Sequence, residues 1–153
     1  MAAAGKWKLY ESAKLDIANG LIDFDTHAFK IALFSSTSNC NTLSGTTTLA
    51  SLTNQLATAN GYTQNSKACT ITTSNSGGTI TVDETSNPSW TASGGSITAR
   101  FAVIYDDTHA SDQAVCVCLL DTAPADVTAT DGNTFTITIN ASGLFTMSGA
   151  ATD

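Results

Sequence analysis

The chain has 153 residues, of which 42% are hydrophobic, enough for one folded domain with its own core and too few for two. Only 12% of residues are charged, about half the usual share, and the formal net charge is −7. From residue 31 onward only Lys67 and Arg100 oppose the acids, so no basic patch exists for nucleic-acid phosphates or an anionic lipid surface.

The first predicted element is a helix over residues 6–19, with Trp7, Tyr10, Ile17 and Leu21 near one face and Asn19-Gly20 as its stop. Residues 27–34 read as a strand with Phe29, Ile31 and Leu33 on one side, and the polar residues 35–48 as a loop. Leu49, Leu52 and Leu56 are spaced for a second short helix over 49–59, closed by Asn60-Gly61.

Everything after that has the signature of antiparallel strands. Cys69, Ile71 and Thr73 alternate with polar neighbours up to a Ser76-Gly77-Gly78 turn, and Ile80 and Val82 lie on the return strand. Trp90 opens a short apolar stretch that ends at Gly94-Gly95. Residues 97–105 read as one strand, with Ile97, Ala99, Phe101, Val103 and Tyr105 on one face. Its opposite face is mixed, the mark of a central strand buried on both sides. Residues 114–120 form a further apolar run. Asp131-Gly132 signals a hairpin before the alternating Phe135, Ile137 and Ile139, and a last short strand covers 144–147. The expected fold is all-β, an antiparallel β-sandwich or jelly-roll-like domain over 1–153. It carries a short N-terminal helix or arm in 1–19 and one further short helix.

Candidate chemistry is thin. The acidic cluster Asp106, Asp107 and Asp112 around His109 has the oxygen ligands of a calcium loop but not the EF-hand spacing, and turn chemistry explains it as a solvated hairpin tip. His27 after Asp23 and Asp25 reads as a strand-entry residue, since no G-x-S-x-G elbow or other catalytic motif accompanies it. No enzyme activity, cofactor or metal is expected. Cys40, Cys69, Cys116 and Cys118 contain no C-x-x-C pair, and Cys116 and Cys118 share one strand face. They are expected to be reduced core residues. Trp90, Phe101 and Tyr105 have the character of a sugar-stacking face, but strand aromatics are more often core. The N-terminus lacks the apolar run of a signal peptide, so synthesis and assembly in a cytoplasm are expected.

Several segments, taken in order, resemble a known family. They are Leu-Tyr-Glu-Ser-Ala-Lys-Leu-Asp-Ile-Ala-Asn-Gly, Asp-Thr-His-Ala-Phe-Lys-Ile-Ala-Leu-Phe, Ile-Thr-Ala-Arg-Phe-Ala-Val-Ile-Tyr and Phe-Thr-Ile-Thr-Ile-Asn-Ala-Ser-Gly-Leu-Phe-Thr-Met. Together with Leu-Thr-Asn-Gln-Leu, Asn-Gly-Tyr-Thr and Ser-Trp-Thr-Ala between them, they resemble small structural proteins of tailed bacteriophages and prophages across residues 9–147. The resemblance implies a virion component without catalytic residues, and the expected role is a capsid decoration or cement protein on the outer head surface. A neck, tail or fibre-base protein and a carbohydrate-binding adhesin module for host attachment are the alternatives. The expected partners are the major capsid protein or other virion proteins and further copies of the chain, with a trimer as the expected oligomer. Trp7 and Tyr10 are expected as apolar assembly anchors, with Lys6 and Lys8 meeting acidic groups.

Overall fold

The computed structural model describes residues 5–149. The chain lays down β1 (Lys8–Leu9), α1 (Glu11–Ala18), β2 (Phe29–Phe34), a 3-10 turn (Leu49–Ser51), β3 (Lys67–Cys69), β4 (Ile71–Ser76) and β5 (Thr79–Glu84). There follow β6 (Ser89–Thr91), β7 (Ile97–Ala99), β8 (Phe101–Asp106), β9 (Gln113–Leu119), β10 (Val127–Ala129), β11 (Thr134–Thr136) and β12 (Phe145–Ser148). One layer is a five-stranded antiparallel sheet in the order β1-β9-β8-β2-β3. The remaining strands form the short sheets β10-β7, β11-β6 and β12-β5-β4. The result is an all-β, sandwich-like architecture, as the strand pattern predicts.

The centre of the large sheet is β8 between β2 and β9. Those three strands contain residues such as Ile31, Leu33, Val103, Ile104, Val115 and Cys116, all at most 1% exposed. Burial on both faces explains why these strands read as nearly continuous apolar runs rather than clean alternations. All four cysteines are buried and unbridged here, with Cys116 facing Ile104 and Cys118 facing Ala102 across the β8–β9 ladder.

Two expected strands are broken where the chain changes sheets. The run 97–105 divides at Arg100 into β7, which pairs with β10, and β8, which pairs with β2 and β9. Arg100 is held at the corner by its amide donating to the Phe34 carbonyl (2.8 Å), its carbonyl accepting from Leu120, and its Nε donating to Asp126 (2.8 Å). Thr70 makes the second corner, between β3 in the large sheet and β4 in the small one, with its amide donating to the buried Glu84 carboxylate. Such bends let one strand serve two layers.

The helices are shorter than expected. Residues 49–59 hold only a three-residue 3-10 turn, because Leu56 is drawn into the β2 edge, its amide donating to the Leu33 carbonyl. The N-terminal helix begins at Glu11, since residues 5–9 run extended along β9, with the Gly5 amide donating to Leu119 and β1 in register with Cys116 and Val117. The helix ends in a Schellman motif. Gly20 has φ +70°, its amide donates to Ile17, and the Leu21 amide donates to Asp16. Leu15 and Leu21, at this end of the helix, are two of the three large apolar side chains exposed among the described residues.

Candidate functional site

A cleft of about 630 Å³ lies between the N-terminal Gly5–Lys6–Trp7 segment and residues 135–140 and 142–146. A smaller cleft of about 250 Å³ adjoins it, between β10 and β11; Val127, Phe135 and Thr136 belong to both. Phe135, Ile137, Leu144 and Leu120 line the larger cleft and are at most 5% exposed, so its floor is the sandwich core.

The cleft exists because two hairpins are splayed. β10 and β11 follow each other through the Asp131-Gly132 turn, yet β10 pairs with β7 and β11 with β6. Residues 135–140 and β12 are joined by a turn in which the Gly143 amide donates to Asn140, yet β12 pairs with β5. At Asp131-Gly132 the chain therefore separates where the sequence predicts local pairing, and each gap is left between strand edges.

Which edge faces the gap follows from the hydrogen bonds. The Asn133 carbonyl accepts from Ala92, the Ile137 amide donates to the Pro88 carbonyl (2.9 Å), and the Ile139 amide donates to Asn87 Oδ1 (2.9 Å). Odd-numbered residues thus turn their backbone groups toward β6. Backbone direction alternates along a strand, so Thr134, Thr136 and Thr138 turn theirs the other way. Consecutive residues 135–140 all line the larger cleft, which places it at the edge of this segment rather than over one face.

The structure brings together two of the four expected assembly residues. Lys6 and Trp7 line the cleft, with Lys6 exposed and Trp7 8% exposed. Lys8 is exposed on the β1 edge. Tyr10 is fully buried, its hydroxyl donating to the Cys40 carbonyl (2.8 Å), and burial raises its phenol well above the usual tyrosine range. Trp7 and Tyr10, expected as apolar assembly anchors, both have their rings held in the chain's own core. Residues 134–140 were legible as a strand, but nothing local in the sequence tells that one of its edges stays open.

The other candidates are absorbed by the fold. The rings considered for sugar stacking are core: Trp90 is 6% and Tyr105 1% exposed, and Trp90 packs on Tyr62 and Phe135 with Lys67 Nζ over its ring. Phe101 is half-buried against the same core. In the acidic loop, Asp106 is buried, one oxygen receiving the Thr108 and His109 amides and the other lying 2.6 Å from His27 Nδ1. Asp107 pairs with Lys30 at 2.7 Å. Among the described residues no cluster of His, Cys, Asp and Glu has the arrangement of a metal site, and no helix is long and apolar enough to cross a membrane.

No protein-family model, curated protein or solved structure matches this chain.

Proposed function

We propose that the protein is a structural component of a tailed-phage virion, and within it a decoration or cement protein on the outer surface of the head. The observation that carries this reading is the order of the segments over residues 9–147, which resembles that of small phage structural proteins. The architecture supports it in two ways. The sandwich-like body gives a shape-stable unit whose loops, such as 35–48, present hydroxyls and amides rather than charges. The acidic balance, −7 overall, keeps such a body from adhering to nucleic acid. A ligand that binds only the assembled shell stabilises it by mass action, with no chemistry required.

Purified particles from a producing strain, with quantitative mass spectrometry and electron microscopy, test the proposal. Copy numbers in fixed proportion to the major capsid protein, with density on the outer head, are the expected result. Density at the neck, tail or fibre base would move the protein within the particle, and absence from particles would overturn the reading.

A further inference from the structure

We propose that the open edge of residues 134–140 is a strand-docking slot, which takes an extended peptide segment of another polypeptide carrying alternate apolar side chains and a carboxylate near Lys6. The inference stands apart from the virion reading, because it rests on backbone geometry and lining chemistry alone.

Three observations converge. The first is a mismatch between strand character and pairing. Phe135-Thr136-Ile137-Thr138-Ile139 alternates without a fault, yet its backbone bonds, from the β11–β6 ladder to the Ile137 and Ile139 amides, all lie on the β6 side. The backbone groups of Thr136 and Thr138 turned away from β6 have no hydrogen-bond partner among the described residues. A run of β-branched residues with one free edge is a template for an added strand.

The second is the space. The two clefts meet at Phe135 and Thr136 and together follow this edge for its length, roughly 20 Å at a strand's rise per residue. Walls stand on both sides: β10 along the smaller cleft, and Gly5–Trp7 with β12 along the larger. A folded sheet cannot bring its edge between such walls, whereas a single extended segment can. Alternate side chains of that segment would reach the apolar floor at Ile137, Leu144 and Leu120. This is strand addition, in which main-chain hydrogen bonds supply affinity and pockets for alternate side chains supply specificity.

The third is charge. Lys6 is the one charged residue among those lining either cleft, on a chain whose net charge is −7. A carboxylate on the incoming segment finds a partner there and no acid among the lining residues. A lysine in the same place meets repulsion.

The test uses the full chain and three synthetic peptides. One is a capped Glu-Val-Thr-Val-Thr-Val-Thr, the second replaces Glu by Lys, and the third is the first peptide N-methylated at every amide, which blocks both of its edges. Amide exchange by NMR and Trp7-dependent fluorescence report binding. The expected result is that the acidic peptide slows exchange at Thr136 and Thr138, that the lysine version binds at least about threefold more weakly, as one exposed charge pair allows, and that the N-methylated version does not bind. Thr138→Pro removes the amide turned into the slot and leaves the Ile137 and Ile139 bonds intact. It should abolish binding with little change in melting temperature; if this variant fails to fold, the N-methylated peptide on the unaltered chain carries the same test. The proposal is overturned if the N-methylated peptide binds as well as its parent, or if no peptide binds at millimolar concentration. Exchange at Thr136 and Thr138 that is already slow in the free protein would overturn it too, since the chain itself would then fill the slot.

Discussion

His27 Nδ1 lies 2.6 Å from Asp106 Oδ2, and this contact ties the entry of β2 to the exit of β8. The Asp106 side chain is wholly buried and His27 is 22% exposed, so the imidazole is the carboxylate's lid toward solvent. The other carboxylate oxygen already receives the Thr108 and His109 amides. Removing the ring leaves one oxygen of a buried carboxylate without a partner. His27→Ala should therefore cost about 2 kcal/mol in urea unfolding, within the range for an unsatisfied buried acceptor that water reaches in part. A double-mutant cycle with Asp106→Asn should return a coupling of about 0.5–3 kcal/mol. A coupling of zero would show that the pair holds nothing.

Gly20 and Gly61 both have positive φ, +70° and +85°, but their surroundings differ. A Cβ on Gly20 would meet nothing within 4 Å, whereas one on Gly61 would lie 2.0 Å from the Thr91 carbonyl oxygen. Gly20→Ala should cost about 1 kcal/mol, the conformational penalty alone. Gly61→Ala adds a backbone collision where the turn before Tyr62 abuts β6, and should cost several times as much. Equal chemical-denaturation midpoints for the two variants would refute this contrast.

The thiols give the molecule a defined response to alkali. Burial raises all four, Cys40 to about 11, Cys118 to about 12, and Cys69 and Cys116 well above the usual thiol range. In the unfolded chain they ionise near 9. Between those values the unfolded state has lost protons that the folded state keeps, so stability is full below pH 9 and falls as pH rises above it. Each thiol contributes up to about 1.4 kcal/mol per pH unit until its folded value is reached. Tyr10, Tyr62 and Tyr105, also raised by burial, add to the fall from pH 10 upward. Urea unfolding at pH 8, 9 and 10 should show the decline, and Cys116→Ala should make it shallower by one thiol's share. At pH 8 a thiol reagent should titrate four groups in denaturant and react far more slowly with the native protein.

The run 97–105 shows how much of the fold was legible. Its apolar density announced a central strand, and β8 is central. The sheet change at Arg100 was hidden, because the bend is stabilised by Phe34, Leu120 and Asp126, distant in sequence. The break also alters the energetics. Phe101 is half-buried, while Ile104, on the other face, is 1% exposed. Ile104→Ala should cost about 2–5 kcal/mol, and Phe101→Ala should stay at the low end of that range. If calorimetry ranks Phe101 as the costlier loss, the sheet face has been misassigned. The candidate cleft was illegible for a related reason. Alternation in residues 135–139 specifies a strand but is silent on how many of its edges are paired.

The same distinction governs the N-terminal segment. Its mixture of aromatics and lysines suggested a detachable arm, but its aromatic residues are committed to the fold. Trp7 is 8% exposed, Tyr10 and Ala13 are fully buried, and β1 closes one edge of the large sheet against β9. Removing residues 1–14 would uncover the β9 edge and empty the space that Tyr10 fills beside Cys40 and Cys116. The truncated chain should therefore melt far below the intact one or fail to fold, where an arm would leave the melting temperature unchanged. A finer cut separates packing from hydrogen bonding. Tyr10→Phe keeps the ring and removes only the bond to the Cys40 carbonyl, costing about 1–2 kcal/mol for a buried acceptor left unpaired. Tyr10→Ala removes the ring as well and should cost about 3–5 kcal/mol, the range for deleting a buried aromatic side chain. Lys8→Ala, on the exposed edge of β1, should change stability by less than about 0.5 kcal/mol. If Tyr10→Ala proves as mild as Lys8→Ala in thermal melts, the segment is an arm after all.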